Sequence, residues 1–523
     1  MYTNTPFFDR DLPAECHDRL RTFANDGHRI VWVAFPPAGG NSWSIVTDTT
    51  FFNRNIPDEC HQQMKTFTAA GHKIRCVAFP PAGGNSWSIV TDKTFFNRNV
   101  PSECHDKMKA LAAGGTSLTS VAFPKAGGNR WTVEGESSFF NRGVPGECHR
   151  VMRAMSGVGL GPLRQVAFHP GGGFVVVARA DALYAAPAPL IHNGASFDLD
   201  AFAANIKSQF AGKGAKYGLV VRQGGAIRAI TDGPKRTATT PPAQDFTVFD
   251  RFSPASVAKT PTAVALLQLI HQHGLSITEP IVNHLPSDWQ IGPLVDTITV
   301  EELLHHTSGF RAGARFYDEL EDMVAAGVTA ADKAIAEYHN CNYSLARVVV
   351  AHLNGVNEQV ADQGKATSDN FIDYVRTHVF DPLGVPDVDW RPDAVAPTLC
   401  YPTPPGTSPG TTYGDASLRP GPSGLDISLA ELAIFVNALA TTDTLLPQSM
   451  RTLMDDHGMG WGRLTDVQHG TYLRKGGYFP AAQNGGAVLH TGIWSFGTGV
   501  QAVVMHNGDP SLDMPTAYDA AWS

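Results

Sequence analysis

Ser256 and Lys259, in the stretch RFSPASVAKTPTAVALLQLI, are spaced so that they could do chemistry together. On the first turn of a helix, residues i and i+3 lie on one face within hydrogen-bond reach. A lysine so placed can hold or accept the serine proton. The helix N-terminus can stabilise negative charge on the serine oxygen and on a tetrahedral oxyanion. An S-x-x-K motif alone is a common chance match, and two further motifs add weight to it. Tyr338-His339-Asn340 forms a Y-x-N motif in EYHNCNYSLARVVVAHLNG, and Lys475-Gly476-Gly477 forms K-x-G near the C-terminus. Two candidate strands follow the last motif, at Ala487 to Trp494 and Val500 to Asn507. His490-Thr491-Gly492 is an alternative third motif, disfavoured because only one strand would then follow it.

In this order and spacing the motifs resemble the serine β-lactamase and penicillin-recognising hydrolase superfamily, in its class C, DD-peptidase and family VIII esterase branch. ITVEELLHHTSGF at 298–310, VFDPLGV at 379–385 and GMGWG at 458–462 match the same families. The resemblance covers about residues 195–523. It implies that Ser256 is the acylated nucleophile and Lys259 its proton partner. Tyr338, as phenolate or sharing a proton with Lys259, is implied as base for acylation and acid for the leaving group. Asn340 is implied to bind the substrate amide. Lys475 is implied to keep the site electropositive and to lower the tyrosine pKa. The backbone N–H groups of Ser256 and Tyr478 are implied to form an oxyanion hole beside Gly476 and Gly477. Gly476 departs from the family pattern, which has Thr or Ser there. A donor to a substrate carboxylate is thereby lost, and room opens for a continuing peptide chain.

Several elements must position these groups. Phe197 to Phe210 reads as a helix, and Tyr217 to Arg222 with Ala226 to Thr231 as a hairpin around Gly224-Gly225. Ahead of them, Ala185 to Gly194 (AAPAPLIHNG) reads as a linker. The first third of the chain repeats itself: Phe-Phe recurs at Phe7, Phe51, Phe95 and Phe139, a 44-residue period. Glu-Cys-His recurs at Glu15, Glu59, Glu103 and Glu147, and Val-Ala-Phe at Val33, Val77, Val121 and Val166. Each copy reads as one helix and one hairpin. In the second copy Ile56, Cys60, Met64 and Phe67 form a helical stripe, and Gly71 ends the helix. Such a unit cannot bury its apolar face alone, so neighbouring copies must pack together.

The repeated Cys-His pairs lack zinc-type spacing, and each cysteine shares its face with Leu, Met and Phe, so they read as core residues, with no metal site. His271, His273 and the pair His305-His306 read as helix or loop surface. Gly157, Gly159 and Gly161 read as a loop, and so does Pro402 to Thr412. No G-x-S-x-G sequence stands between a strand and a helix as a nucleophile elbow, and there is no Walker A motif.

At 523 residues, length alone suggests three or four domains. The period reduces this to four repeats over 1–184, the linker, and one hydrolase domain over 195–523. The expected class is α/β (α+β): an antiparallel sheet flanked by helices with an all-α subdomain, preceded by helix-hairpin repeats. The chain is 43% hydrophobic and 17% charged with net charge −9, which excludes a disordered or fibrous protein and a general nucleic-acid binder. No apolar stretch of membrane-spanning length occurs. The start, MYTNTPFFDRD, lacks the layout of a secretory signal, so a cytoplasmic chain or a processed form is expected. Family resemblance points instead to secretion. Seven cysteines do not make a disulfide scaffold.

Tandem repeats joined to a class-C-like hydrolase are similar to the polyglycine hydrolases, endoproteases that cut Gly–Gly bonds. The leading expectation is therefore a serine peptidase of that kind, cofactor-free, acting on a peptide or small acyl substrate. A short-chain esterase, a weak class C-type β-lactamase and an inactive repeat-based binding protein are the alternatives.

Overall fold

The computed structural model describes residues 7–10, 12–26, 28–37, 40–48, 51–136, 139–157, 163–169, 173–178, 187–333, 335–394, 396–402, 408–462, 464–480, 487–507 and 512–523. Most of the glycine cluster at 157–161, the start of the linker and the middle of the Pro402 to Thr412 segment lie outside them. Residues 1–185 and 186–523 form two compact units.

In the first unit the chain alternates helices and short strands: β1 (Phe7–Arg10), α1 (Ala14–Asn25), β2 (Ile30–Ala34), β3 (Trp43–Thr47), β4 (Phe51–Arg54), α2 (Asp58–Ala69), β5 (Ile74–Ala78), β6 (Trp87–Thr91), β7 (Phe95–Arg98), α3 (Ser102–Ala113), β8 (Leu118–Ala122), β9 (Trp131–Gly135), β10 (Phe139–Arg142), α4 (Gly146–Met155), β11 (Leu163–Phe168) and β12 (Phe174–Ala178). A proline precedes each helix, at Pro13, Pro57, Pro101 and Pro145. After α2, Gly71 takes φ +76°, a left-handed turn that stops the helix. Each helix buries its cysteine and the residue four further on completely, as with Cys60 and Met64 or Cys104 and Met108. Burying a side chain of that size contributes about 1.5–3 kcal/mol.

The repeat carries one strand more than a helix and a hairpin. The Phe-Phe-Asn-Arg segments are third strands, giving the antiparallel sheets β2-β3-β4, β5-β6-β7 and β8-β9-β10. In the fourth sheet that strand comes from the start of the chain: β1 pairs with β12, Phe7 opposite Val177 and Arg10 opposite Phe174. The strands β2, β5, β8 and β11 each touch the next, and β11 touches β2, so the four sheets close into a ring. Side chains bridge these inner strands. Gln165 donates to the Val33 carbonyl, and the Val121 N–H donates to the Cys76 sulfur at 3.1 Å.

The histidines of the Glu-Cys-His triplets also have a structural job. Asn53, Asn97 and Asn141, each on a third strand, donate to the Nδ1 atoms of His61, His105 and His149 on the following helix at 2.9–3.0 Å. Each bond ties one sheet to the next helix.

The second unit is built on a six-stranded antiparallel sheet. Its strands are β13 (Tyr217–Gln223), β14 (Ala226–Asp232), β15 (Thr465–Val467), β16 (Gly470–Phe479), β17 (Leu489–Phe496) and β18 (Val500–His506), in spatial order β14-β13-β18-β17-β16-β15. Helices α5 (Leu199–Ser208) and α9 (Met514–Asp519) cover one face, packing Phe202, Ile206 and Tyr518 against Leu219, Trp494 and Val504. On the other side lie α6 (Lys259–Gln272), α7 (Asn340–Leu353) and α8 (Leu429–Thr441). Of these, α8 touches β13, β17 and β18, and α6 packs on α7. This is the expected antiparallel sheet flanked by helices. Strand β15 pairs only with residues 470–472 of β16, and Gly462 takes the Arg474 carbonyl. Beyond that point β16 is an open edge among the described residues. No helix among them is long and apolar enough to cross a membrane.

Candidate active site

Ser256 sits in a short 3-10 turn, Ala255–Ala258, that runs directly into α6. Ala255 before it takes φ +50°, a left-handed conformation that costs an alanine energy. Strand β16 packs against this turn. A Cβ on Gly477 would lie 2.2 Å from the Pro254 carbonyl oxygen and 3.0 Å from the Ser256 nitrogen. Only glycine therefore lets the strand approach the nucleophile. The segment lying against Ser256 is thus Lys475-Gly476-Gly477, while His490-Thr491-Gly492 lies one strand further in, paired with Tyr478, Gly477 and Gly476.

The structure brings Ser256, Lys259, Tyr338, Asn340 and Lys475 together. Tyr338 donates its hydroxyl to Ser256 Oγ at 2.6 Å. Lys259 Nζ, fully buried, lies 3.2 Å from Ser256 Oγ, 2.7 Å from Asn340 Oδ1 and 2.8 Å from the Pro422 carbonyl. Two of those partners can only accept. A neutral amine would give them its two hydrogens and turn its lone pair to the serine hydroxyl. Burial, with the charges of Lys475 and Arg315, holds Lys259 well below the ordinary lysine range, which favours that neutral form.

Lys475 is 9% exposed, and burial lowers its pKa to about 8. Its ammonium lies 5.4 Å from the centre of the Tyr338 ring and 5.9 Å from that of Tyr343, while Lys259 lies 4.8 and 5.7 Å from the same rings. The aromatic faces partly offset the buried charge of Lys475 and would do the same for Lys259 whenever it is protonated. Asn340 opens α7 and is held by Lys259 through its oxygen, which leaves its amide N–H groups free to meet a substrate.

Three expectations need revising. The Tyr338 phenol was expected to be lowered by Lys475. Burial of the hydroxyl end raises it instead, opposed by the Ser256 bond and the Arg315 charge, so the protonated form is favoured. His306 is not surface: φ +62° turns it inward, and its ring lies 4.6 Å from Tyr338 and 5.2 Å from Tyr343. Burial, with Lys475 and Lys259, lowers its pKa to about 3, so it is a neutral spacer in a cationic site. Its Nδ1 accepts from the His339 N–H and the Asn342 amide, both at 3.4 Å. Nothing local in the sequence signals this contact, although the H-T-S-G match contains the residue. The room expected beside Gly476 is bordered by a guanidinium, Arg474 Nη2 lying 3.6 Å from the Cβ position.

A family model described as Beta-lactamase matches residues 216–522. Among solved structures, a β-lactamase/D-alanine carboxypeptidase from Pseudomonas syringae is 15% identical with TM-score 0.48, over 62% of this chain and 96% of the other. FmtA from Staphylococcus aureus is 14% identical with TM-score 0.48, over 64% and 92%. A D-amino acid amidase from Ochrobactrum anthropi SV3 is 19% identical with TM-score 0.47, over 62% and 96%.

Proposed function

The chain belongs to the Beta-lactamase family, whose members are serine hydrolases, and on that premise we propose that it cleaves peptide bonds through an acyl-enzyme on Ser256. The observation that carries this reading is the position of Ser256 Oγ between an amine at 3.2 Å and a phenol at 2.6 Å. Lys259 takes the serine proton as Oγ attacks the carbonyl. The N–H groups of Ser256 and Tyr478 would receive the oxyanion. Tyr338 gives its proton to the departing amine as the C–N bond breaks, and regains one from Lys259. Water then follows the reverse route and frees the acid. Asn340 would hold the substrate amide, and Lys475 supplies the positive field in which the charged intermediate forms.

More finely, the substrate reading is a Gly–Gly bond, as in polyglycine hydrolases, which combine tandem repeats with a class-C-like domain. The open edge of β16 at Gly476, Gly477 and Tyr478 could add an extended chain as a further strand. The missing hydroxyl at position 476 weighs against a potent β-lactamase. Hydrolysis of an oligoglycine peptide, a short-chain p-nitrophenyl ester and nitrocefin, each with Ser256→Ala as control, tests the proposal. Peptide cleavage that outruns ester and β-lactam turnover is expected. Full activity in the alanine variant would sink the mechanism, and neither turnover nor covalent labelling by a fluorescent penicillin would favour a binding protein.

A further inference from the structure

We propose that Arg474 replaces the hydroxyl missing at position 476 and binds a carboxylate of the substrate, an inference that rests on the acyl-enzyme reading above. Alternation along β16 puts Arg474, Gly476 and Tyr478 on one face and Lys475 and Gly477 on the other, and exposure follows that alternation. A side chain at 476 would therefore project beside Arg474. Its Cβ would lie 3.6 Å from Arg474 Nη2 and 3.9 Å from Nε, so the guanidinium borders the place where Thr or Ser would carry its donor.

Two features hold the guanidinium ready. It lies 5.6 Å from the centre of the Trp494 ring, whose residue is the cross-strand partner of Arg474 on β17 and is 2% exposed. A fixed aromatic face beneath an arginine limits its wandering. No carboxylate pairs with it among the described residues, whereas Arg228, Arg251 and Arg451 all hold acids at 2.5–2.9 Å. An exposed, supported and unpaired guanidinium on the open edge beside Gly476 and Gly477 suits a planar, two-oxygen anion. Lys475, next along the strand, adds to the field that attracts it. On a peptide such a carboxylate comes either from the acyl side of the scissile bond or from the leaving side.

Two matched ester pairs separate those sources. Mono-p-nitrophenyl adipate against p-nitrophenyl hexanoate places the charge on the acyl side. The acetyl ester of 3-hydroxybenzoate against that of 3-hydroxybenzamide places it on the leaving side. In the wild type, kcat/KM should favour the anionic member of one pair. Arg474→Ala should reduce that preference roughly 10- to 100-fold, the worth of a charged hydrogen bond, mainly through KM. Arg474→Lys should keep part of it. Gly476→Thr placed on Arg474→Ala should restore part, because the hydroxyl returns. Ser256-dependent turnover with a ratio that Arg474→Ala leaves unchanged would overturn the inference while sparing the mechanism. No Ser256-dependent turnover of any ester or of the oligoglycine peptide would instead overturn the acyl-enzyme reading.

Discussion

The repeat ring and the hydrolase unit treat polar side chains in opposite ways. In the ring, the amide of Asn97 meets Ser88 and His105, Arg98 meets Glu59, and Arg142 meets Glu103. Similar sets recur from copy to copy, and they explain themselves as structure. In the hydrolase unit, Lys259 and Lys475 are buried with no carboxylate against them among the described residues. Burying an amine away from any acid costs stability, by charge or by the shift to the neutral form, and such groups cluster at functional sites. The ring's paired polar groups serve as scaffold, while beside Ser256 two buried lysines stand without an acid among the described residues, as Lys216 also does elsewhere in the unit.

Lys259→Met breaks that contrast at its strongest point. Methionine fills a similar volume but leaves the Asn340 oxygen and the Pro422 carbonyl without their donor, so the melting temperature should fall only modestly. Hydrolysis of any Ser256-dependent substrate should fall roughly 1000-fold or more. A variant that instead unfolds while keeping specific activity would make Lys259 a structural residue.

One ring residue breaks the pattern from the other side. Glu134 stands where the other copies have Val46, Val90 and Val177, and it is fully buried. It is held by Ser120 and by Thr132 at 2.7 Å, with the thiols of Cys76, Cys104 and Cys148 nearby. Burial raises its pKa to about 8. An acid whose folded pKa lies above its unfolded value stabilises fully below the unfolded pKa, and that share is lost as pH rises through the folded one. Ring stability should therefore decline from about pH 4.5 to 8. Glu134→Val should remove the decline and gain a few kcal/mol at pH 9, read from denaturant midpoints. An unchanged pH profile would mean the carboxyl reaches water.

A smaller effect should appear in the site. Lys475 is charged below about pH 8 and loses its proton above it. The alkaline limb of kcat/KM should fall near that pH, by roughly tenfold per unit once the cation is lost. Lys475→Arg keeps the charge and should move the limb upward. A limb that stays put would assign it to another group.

These contrasts also show what could be read from residues alone. The S-x-x-K, Y-x-N and K-x-G motifs were legible because each needs a fixed spacing, and the strands and helix near them follow ordinary periodicity. The strands Phe51–Arg54 and Phe95–Arg98 were missed, because two adjacent phenylalanines do not alternate as a half-buried strand should. Closure of the ring depends on β1 meeting β12, a pairing over more than 160 residues that no local pattern announces. His306 was misread because its burial arises from a left-handed turn and a contact with Tyr338. Glu134 was legible in principle: the 44-residue period sets it against valines.

The smallest effect tests whether the ring's polar contacts are as interchangeable as its repeats suggest. Asn53, Asn97 and Asn141 each span a third strand and the next helix, donating to a histidine at 2.9–3.0 Å and to a methionine sulfur at 3.6–3.7 Å. Two of them also accept from a serine hydroxyl, Ser44 at 2.5 Å and Ser88 at 2.6 Å. Replacing Asn53 or Asn97 by alanine removes the hydrogen bond to His61 or His105 and the one from Ser44 or Ser88, which costs about 1–2 kcal/mol. If the repeats are equivalent, Asn53→Ala and Asn97→Ala should cost the same within about 0.5 kcal/mol, and a pair of such distant changes should add. Asn97→Ala with His105→Ala, by contrast, should cost less than the sum, because both changes remove the same hydrogen bond. Strict additivity for that neighbouring pair would show that the asparagine–histidine bond does not join sheet to helix.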